Sequence, residues 1–316
     1  MSNNKIAFVF PGQGSQKVGM LAEMAALNPV IEACFGEASE VLGYDLWELV
    51  QQGPAESLSL TERTQPMLLA AGVALWRVWQ QHDGPLPAVL AGHSLGEFTA
   101  LVCAGSLEFR DAVELVRQRG EFMQSAVPVG VGAMAAIIGL DDAAINRACV
   151  DAAQGEIVAA VNFNSPGQVV IAGHAAAVAR ASELCRQAGA KRALPLPVSA
   201  PFHTELMRPA GERLAAALAA IELSAPSIPV INNVDASVQT DPQQIKRLLV
   251  QQISSPVQWV GCVETMLTMG VEATVECGPG SVLSGLNRRI RKSLQVAGLE
   301  APAGLEQALA LTRALT

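Results

Sequence analysis

Apolar residues arrive along this chain in short runs set between longer amphipathic stretches. Ile6-Ala7-Phe8-Val9-Phe10 is a continuous apolar run, and residues 5–10 read as a buried strand that stops at Pro11. Residues 17–52 read as helical pieces, with Gly43 and Gly53 as stops. Thr64-Gln65-Pro66 leads into an apolar helix predicted over 67–79, and His82-Asp83-Gly84-Pro85 is a surface turn. A short apolar run, 88–91, is the next strand, followed by a helix over 97–104 that Gly105 ends. Phe109, Ala112, Val113, Val116 and Met123 then share one face of a helix that runs to about Pro128.

The texture changes after Pro128. Residues 130–140 read as a strand, 141–153 as a helix, 157–163 as a strand, 164–167 as a turn, 168–172 as a strand, 175–188 as a helix and 191–196 as a strand. That β-α-β-β-α-β order is a ferredoxin-like split unit, here an inserted lobe over 128–198. The larger lobe, 1–127 and 199–316, resumes with a loop over 199–203 and a helix over 205–221. A strand over 230–234, helices to about 253 and over 257–269, a strand over 271–277 and a helix over 281–292 follow. Strands alternating with helices predict an α/β class with a mostly parallel sheet.

Composition narrows the field. Half of the 316 residues are hydrophobic and 16% are charged, which suits a large buried core. The net charge of −8 argues against nucleic acid as a partner, since phosphates need a basic face. No apolar stretch is long enough for a membrane span, and the N-terminal run is too short for a signal peptide. The six cysteines are scattered without a C-x-x-C, so free thiols in a reducing cytoplasm are expected, with no metal site.

The chemistry centres on Gly92-His93-Ser94-Leu95-Gly96. A strand before and a helix after it supply the setting of a G-x-S-x-G nucleophile elbow. The glycines permit a turn too tight for a Cβ, and the serine stands at a helix N-terminus that favours negative charge. The plain alternative is a turn between two core elements. A second glycine loop, Pro11-Gly12-Gln13-Gly14-Ser15-Gln16, satisfies neither G-x-G-x-x-G nor the P-loop pattern. It reads instead as backbone N–H groups facing a site.

A serine needs a base, and the chain has four histidines. His82 lies in a polar turn, His174 follows a strand of the small lobe, and His93 adjoins the serine and points away as packed support. His203 remains, in the loop where the chain returns from the inserted lobe; its plain alternative is an ordinary loop histidine, but a residue at that junction can face the elbow across a cleft. No acid between them carries a loop signature: Asp111 and Asp142 sit on helices. A Ser–His dyad held by a neutral acceptor fits better.

Several motifs together resemble a known family. Phe10-Pro11-Gly12-Gln13-Gly14-Ser15-Gln16, Gly92-His93-Ser94-Leu95-Gly96-Glu97, Arg117-Gln118-Arg119-Gly120, Asn162-Phe163-Asn164-Ser165-Pro166-Gly167-Gln168, Phe202-His203 and Gly278-Pro279-Gly280 stand in the order found in bacterial malonyl-CoA:acyl-carrier-protein transacylases. The resemblance implies an α/β-hydrolase-like lobe with a ferredoxin-like insertion. It implies Ser94 as nucleophile, His203 as base, backbone N–H groups of Gln13 and Leu95 as oxyanion hole, and Arg119 for the malonyl carboxylate. It implies that the Gln252 main-chain carbonyl orients the histidine. Phe202, Asn162 and His93 are pocket candidates, with plain packing as the alternative for Phe202. The implied substrates are malonyl-CoA and acyl carrier protein, in fatty-acid synthesis, with no cofactor.

Because carrier proteins are acidic and this chain is too, docking needs a local basic patch. Arg288, Arg289, Arg291 and Lys292, at the end of the helix after Gly278-Pro279-Gly280, form the densest run, and Lys191-Arg192 is the second. Their plain alternative is helix-dipole complementation and solvation. A serine hydrolase acting on lipids or carboxylesters and a non-catalytic acyl-binding module are the rival functions. The missing acid and an arginine among apolar neighbours argue against the first, the intact Ser94 and His203 against the second.

Overall fold

In a computed structural model, which describes residues 5–198 and 200–315, the chain builds two sheets. Residues 1–4, Ser199 and Thr316, which the predicted lobe limits and return loop include, lie outside the described residues. The strands are Ile6–Phe10 (β1), Val89–Gly92 (β2), Gly132–Ile138 (β3), Val158–Ser165 (β4), Gln168–His174 (β5), Arg192–Pro195 (β6), Val230–Ile231 (β7), Val238–Gln239 (β8), Ala273–Glu276 (β9) and Gln295–Gly298 (β10).

The first sheet has the order β10-β9-β1-β2-β7-β8 and is parallel except for the β7–β8 pair. All five residues of β1 are buried, as a central strand covered on both faces requires. Phe10 stands opposite Gly92, so β1 and β2 end side by side and deliver the two glycine loops to one place. Open parallel sheets bind ligands there, beyond the carboxyl ends of their strands.

The second sheet, β4-β5-β3-β6, is antiparallel throughout. Its alternation separates two cores. Ala135, Ile137, Val169 and Ile171 pack with the helices Asp142–Ala153 and Ala175–Gln187, whereas Met134, Val170 and Ala172 join the main core. The second face therefore looks onto the larger sheet's layer. A bridge between Asn162 and Val257 ties β4 to it.

Several predicted boundaries move. The helix expected to follow Pro66 runs Thr61–Gln81 with Pro66 inside it. A proline lacks one helical N–H, but sixteen buried positions along this helix outweigh that loss. The strand expected over 230–234 stops at Ile231, because the Asn232 side chain accepts from the N–H groups of Val234 and Asp235 and turns the chain. β4 runs on through Ser165, leaving only Pro166-Gly167 as the turn. The helix expected to Lys292 ends at Ile290, so Arg291 and Lys292 lie beyond it. β8, β10 and the helix Pro302–Arg313 add to the predicted elements.

Candidate active site

β2 feeds directly into the serine turn. Ser94 has φ 51° and ψ −106°, a strained backbone for a residue with a side chain, and the helix Leu95–Cys103 begins after it. A Cβ on Gly92 would lie 1.8 Å from the Gly96 carbonyl carbon, and one on Gly96 would lie 2.0 Å from the Phe10 oxygen. Neither position admits any other residue. The strain is held by Asn233, whose Oδ1 accepts from the Ser94 N–H at 2.6 Å while its Nδ2 donates to the Gly92 carbonyl at 2.7 Å.

His203 meets the serine from the loop before the turn Glu205–Met207, also at a positive φ of 63°. Its Nε2 lies 2.9 Å from Ser94 Oγ, and its Nδ1 lies 2.9 Å from the main-chain carbonyl of Gln252. A carbonyl only accepts, so Nδ1 carries the proton and Nε2 offers its lone pair to the serine hydroxyl. Burial, with Arg119 nearby, pushes the His203 pKa down to about 3. The imidazole is neutral at physiological pH, the form a base needs.

Arg119, from the helix Phe109–Ser125, is 1% exposed. Its Nη1 donates to Gln65 Oε1 at 2.9 Å, and its Nη2 donates to Gln252 Oε1 at 2.8 Å and to Ser94 Oγ at 3.1 Å. The guanidinium lies 5.2 Å from the centre of the Phe98 ring. Burial lowers its pKa only to about 10, so it remains a cation. All three hydrogen-bond partners are neutral. Two residues earlier, Arg117 is held on the surface by Glu114 and Glu121. The same helix thus carries one arginine neutralised by direct ion pairs and one kept available beside the serine.

These groups line a cavity of about 290 Å³, together with Gln13, Leu95, His93, Asn162 and Phe202. Leu95 is the first residue of its helix, where main-chain N–H groups have no preceding turn to bond. The imidazole of His93 turns to the small sheet, with Nε2 2.8 Å from Asn164 Oδ1, and burial lowers its pKa. The Asn162 Oδ1 is buried and has no partner among the described residues. His82 and His174 stand elsewhere, against Asn28 and the Ile157 N–H.

Lys191, Arg192, Arg288, Arg289, Arg291 and Lys292 are all exposed, and none lines the cavity. Arg289 donates to Gln168 Oε1, and Gln168 does line it. Gln168 pairs with Ile138, which pairs with Arg192, so one row of the antiparallel sheet joins the two cationic clusters. Sequence reasoning missed Asn233, Gln65, Asn164 and Glu97 as site residues. Glu97 and Asn164 both stood in motifs already singled out, Glu97 directly after the elbow and Asn164 in the Asn162–Gln168 stretch, but neither was given a role.

Residues 7–305 match the family model for the acyl transferase domain. The malonyl CoA-acyl carrier protein transacylase of Salmonella typhimurium is 61% identical over 96% of this chain and 99% of its own length. That of Bacillus subtilis is 45% identical over 97% and 96%. A crystal structure of an acyl carrier protein S-malonyltransferase from Vibrio cholerae superimposes with a TM-score of 0.94, at 61% identity, over 96% of this chain and 99% of that one. A malonyl-transacylase solved in complex with its type II PKS acyl-carrier protein gives 0.96 at 55% identity, over 97% and 99%.

Proposed function

The chain belongs to the malonyl-CoA:acyl-carrier-protein transacylases, and from that premise we propose that it passes malonyl groups from malonyl-CoA to acyl carrier protein through an ester on Ser94, for fatty-acid synthesis. The observation that carries the route is the 2.9 Å approach of Ser94 Oγ to His203 Nε2. Oγ attacks the thioester carbonyl as its proton passes to Nε2. The carbon–sulfur bond breaks, and the coenzyme A thiolate takes that proton as it leaves. In the second half, the pantetheine thiol of the carrier protein gives its proton to His203 and attacks the ester carbonyl. The bond to Ser94 breaks and the serine recovers its proton. No cofactor enters either half.

The Gln252 carbonyl takes the place of the usual acid, fixing the His203 tautomer without a second buried charge. The main-chain N–H groups of Gln13 and Leu95 receive the oxyanion, at about 3–4 kcal/mol of barrier for each such donor. Arg119 receives the distal carboxylate of malonyl, exchanging neutral partners for a charged one. Phe202, Asn162 and His93 shape the acyl and pantetheine walls.

We read the fold as an α/β-hydrolase-like lobe, 1–127 and 199–316, carrying a ferredoxin-like lobe over 128–198; the strand order β4-β5-β3-β6 supports the second description. The six buried, unpaired cysteines suit a cytoplasmic setting. The two cationic clusters are the docking rim for the acidic carrier protein. The test of the whole route is intact mass: brief exposure to malonyl-CoA adds one malonyl group, removed by carrier protein and kept in water alone. Rapid release in water would move the protein to the hydrolases.

A further inference from the structure

Glu97 takes no part in the acyl transfer just described, yet it is the carboxylate beneath the nucleophile. It is 2% exposed. Its Oε2 accepts from the Asn233 main-chain N–H at 2.9 Å and from Gln252 Nε2 at 2.7 Å. Gln252 Nε2 also donates to the Ser94 carbonyl at 3.1 Å, and on the other side Gln252 Oε1 accepts from Arg119 at 2.8 Å. A side-chain amide has one donating end and one accepting end. With Nε2 committed to a carboxylate and a carbonyl, which only accept, Oε1 is left facing the guanidinium. Turned over, the amide would set N–H against N–H and oxygen against oxygen.

We infer that Glu97 is a positioning residue for malonyl specificity: it fixes the orientation of the Gln252 side-chain amide, which holds Arg119 at the nucleophile before substrate arrives. The inference rests on the reading of Arg119 as the carboxylate-binding residue. Burial pushes the Glu97 pKa up to about 7, against the pull of Gln252, Asn233 and Arg119. In either protonation state it keeps an acceptor oxygen for the two N–H donors.

Glu97 reaches the serine by a second arm, since Asn233 both donates to it and clamps Ser94. Loss of Glu97 therefore slows every acyl group through Asn233, and malonyl alone through Gln252 and Arg119. The ratio of single-turnover acylation by malonyl-CoA to that by acetyl-CoA isolates the second effect. Glu97→Ala should lower this ratio about tenfold, the scale of one hydrogen bond to a charged group. Glu97→Gln, which can present an oxygen at the same place, should hold it within about threefold of the unaltered protein. Gln252→Leu keeps the main-chain carbonyl for His203 and should lower the ratio as far as Glu97→Ala; the double variant should go no lower than either. Gln252→Leu also decides the matter if Glu97→Ala does not fold. Arg119→Ala is run beside them. If it lowers the ratio while Glu97→Ala and Gln252→Leu leave it unchanged, the inference is overturned and the reading of Arg119 stands. An equal fall in Glu97→Gln and Glu97→Ala also overturns it, because charge and not amide orientation would then carry the effect. An unchanged ratio in Arg119→Ala overturns the reading on which it rests.

Discussion

The floor of the cavity and its rim both use charge, in opposite ways. At and beneath the floor, the Arg119 guanidinium, the Glu97 carboxyl and the neutral His203 imidazole are buried and joined through the Gln252 amide and carbonyl at 2.7–2.9 Å. At the proposed rim, Arg288, Arg289, Arg291, Lys292, Lys191 and Arg192 stand in solvent on a helix end, the stretch after it, the first residue of an edge strand and the residue before that strand. Buried charges are screened far less than exposed ones, so each angle and partner matters. Exposed charges act as a field that salt weakens, so their number matters more than their geometry. Floor changes should therefore alter which bond is made, and how fast, by orders of magnitude. Rim changes should alter only how often the partner arrives.

The sharpest break is at Ser94. Ser94→Ala should fold, because alanine meets the same backbone demand as serine, and should form no acyl-enzyme. A malonyl adduct that survives denaturation in this variant would move the nucleophile elsewhere. Next comes His203→Ala, which should slow acylation about 10²- to 10⁴-fold, the range for a lost general base. An unchanged single-turnover rate would remove His203 from the reaction.

Arg119 tests the floor's selectivity. Arg119→Ala should cut malonyl acylation roughly 10²-fold or more, the cost of truncating one partner of a buried charge pair, and acetyl acylation far less. Arg119→Lys should recover little, since a point charge cannot replace a planar fork with two neutral partners already in place. Equal losses for the two acyl groups would reduce Arg119 to a structural role.

The floor was only partly legible in the sequence, and the reason lies in range. Ser94 can be placed because its two glycines sit two residues either side, within one turn. His203 emerges by elimination among four histidines. Asn233, which holds the Ser94 N–H, comes from 139 positions away and sits in a stretch that reads as plain strand. Gln65 is hidden where Pro66 imitates a helix start, although the helix begins at Thr61. Neutral amides have no spacing signature; their roles exist only once three distant segments meet. The rim is the reverse case. Its cations are visible as a run, but the helix break after Ile290, and the row from Arg192 to Gln168, follow from packing and register.

A milder test of the floor uses pH. The His203 pKa, pushed down to about 3, means fewer protons bound in the native state than in the unfolded state between about pH 3 and 6.5. Stability from this group is thus present above pH 6.5 and lost as pH falls toward 3. Acylation should stay within about twofold from pH 7 to pH 5, where an imidazole at its ordinary pKa would lose about 25-fold. A rate midpoint near pH 6.5 would show that the imidazole is solvated as the reaction starts.

The smallest effect belongs to the rim. The chain carries −8 overall, so an acidic carrier protein is repelled at a distance and must be drawn in locally. Arg288 and Arg289, in the last turn of the helix Val282–Ile290, are the two cations of the run closest to the cavity in sequence, and Arg289 reaches Gln168 on its wall. Helix-dipole complementation accounts for those two but not for Arg291 and Lys292, which lie past the helix end. Arg288→Glu with Arg289→Glu should raise the apparent KM for carrier protein several-fold and leave acylation by malonyl-CoA nearly unchanged. Salt should weaken the unaltered protein toward the same value and affect the double variant less, because screening sets in beyond about 10 Å at 0.1 M. If carrier-protein kinetics do not change, docking moves along the same sheet row to Arg192 and its neighbour Lys191, where the corresponding charge reversals should then raise KM instead.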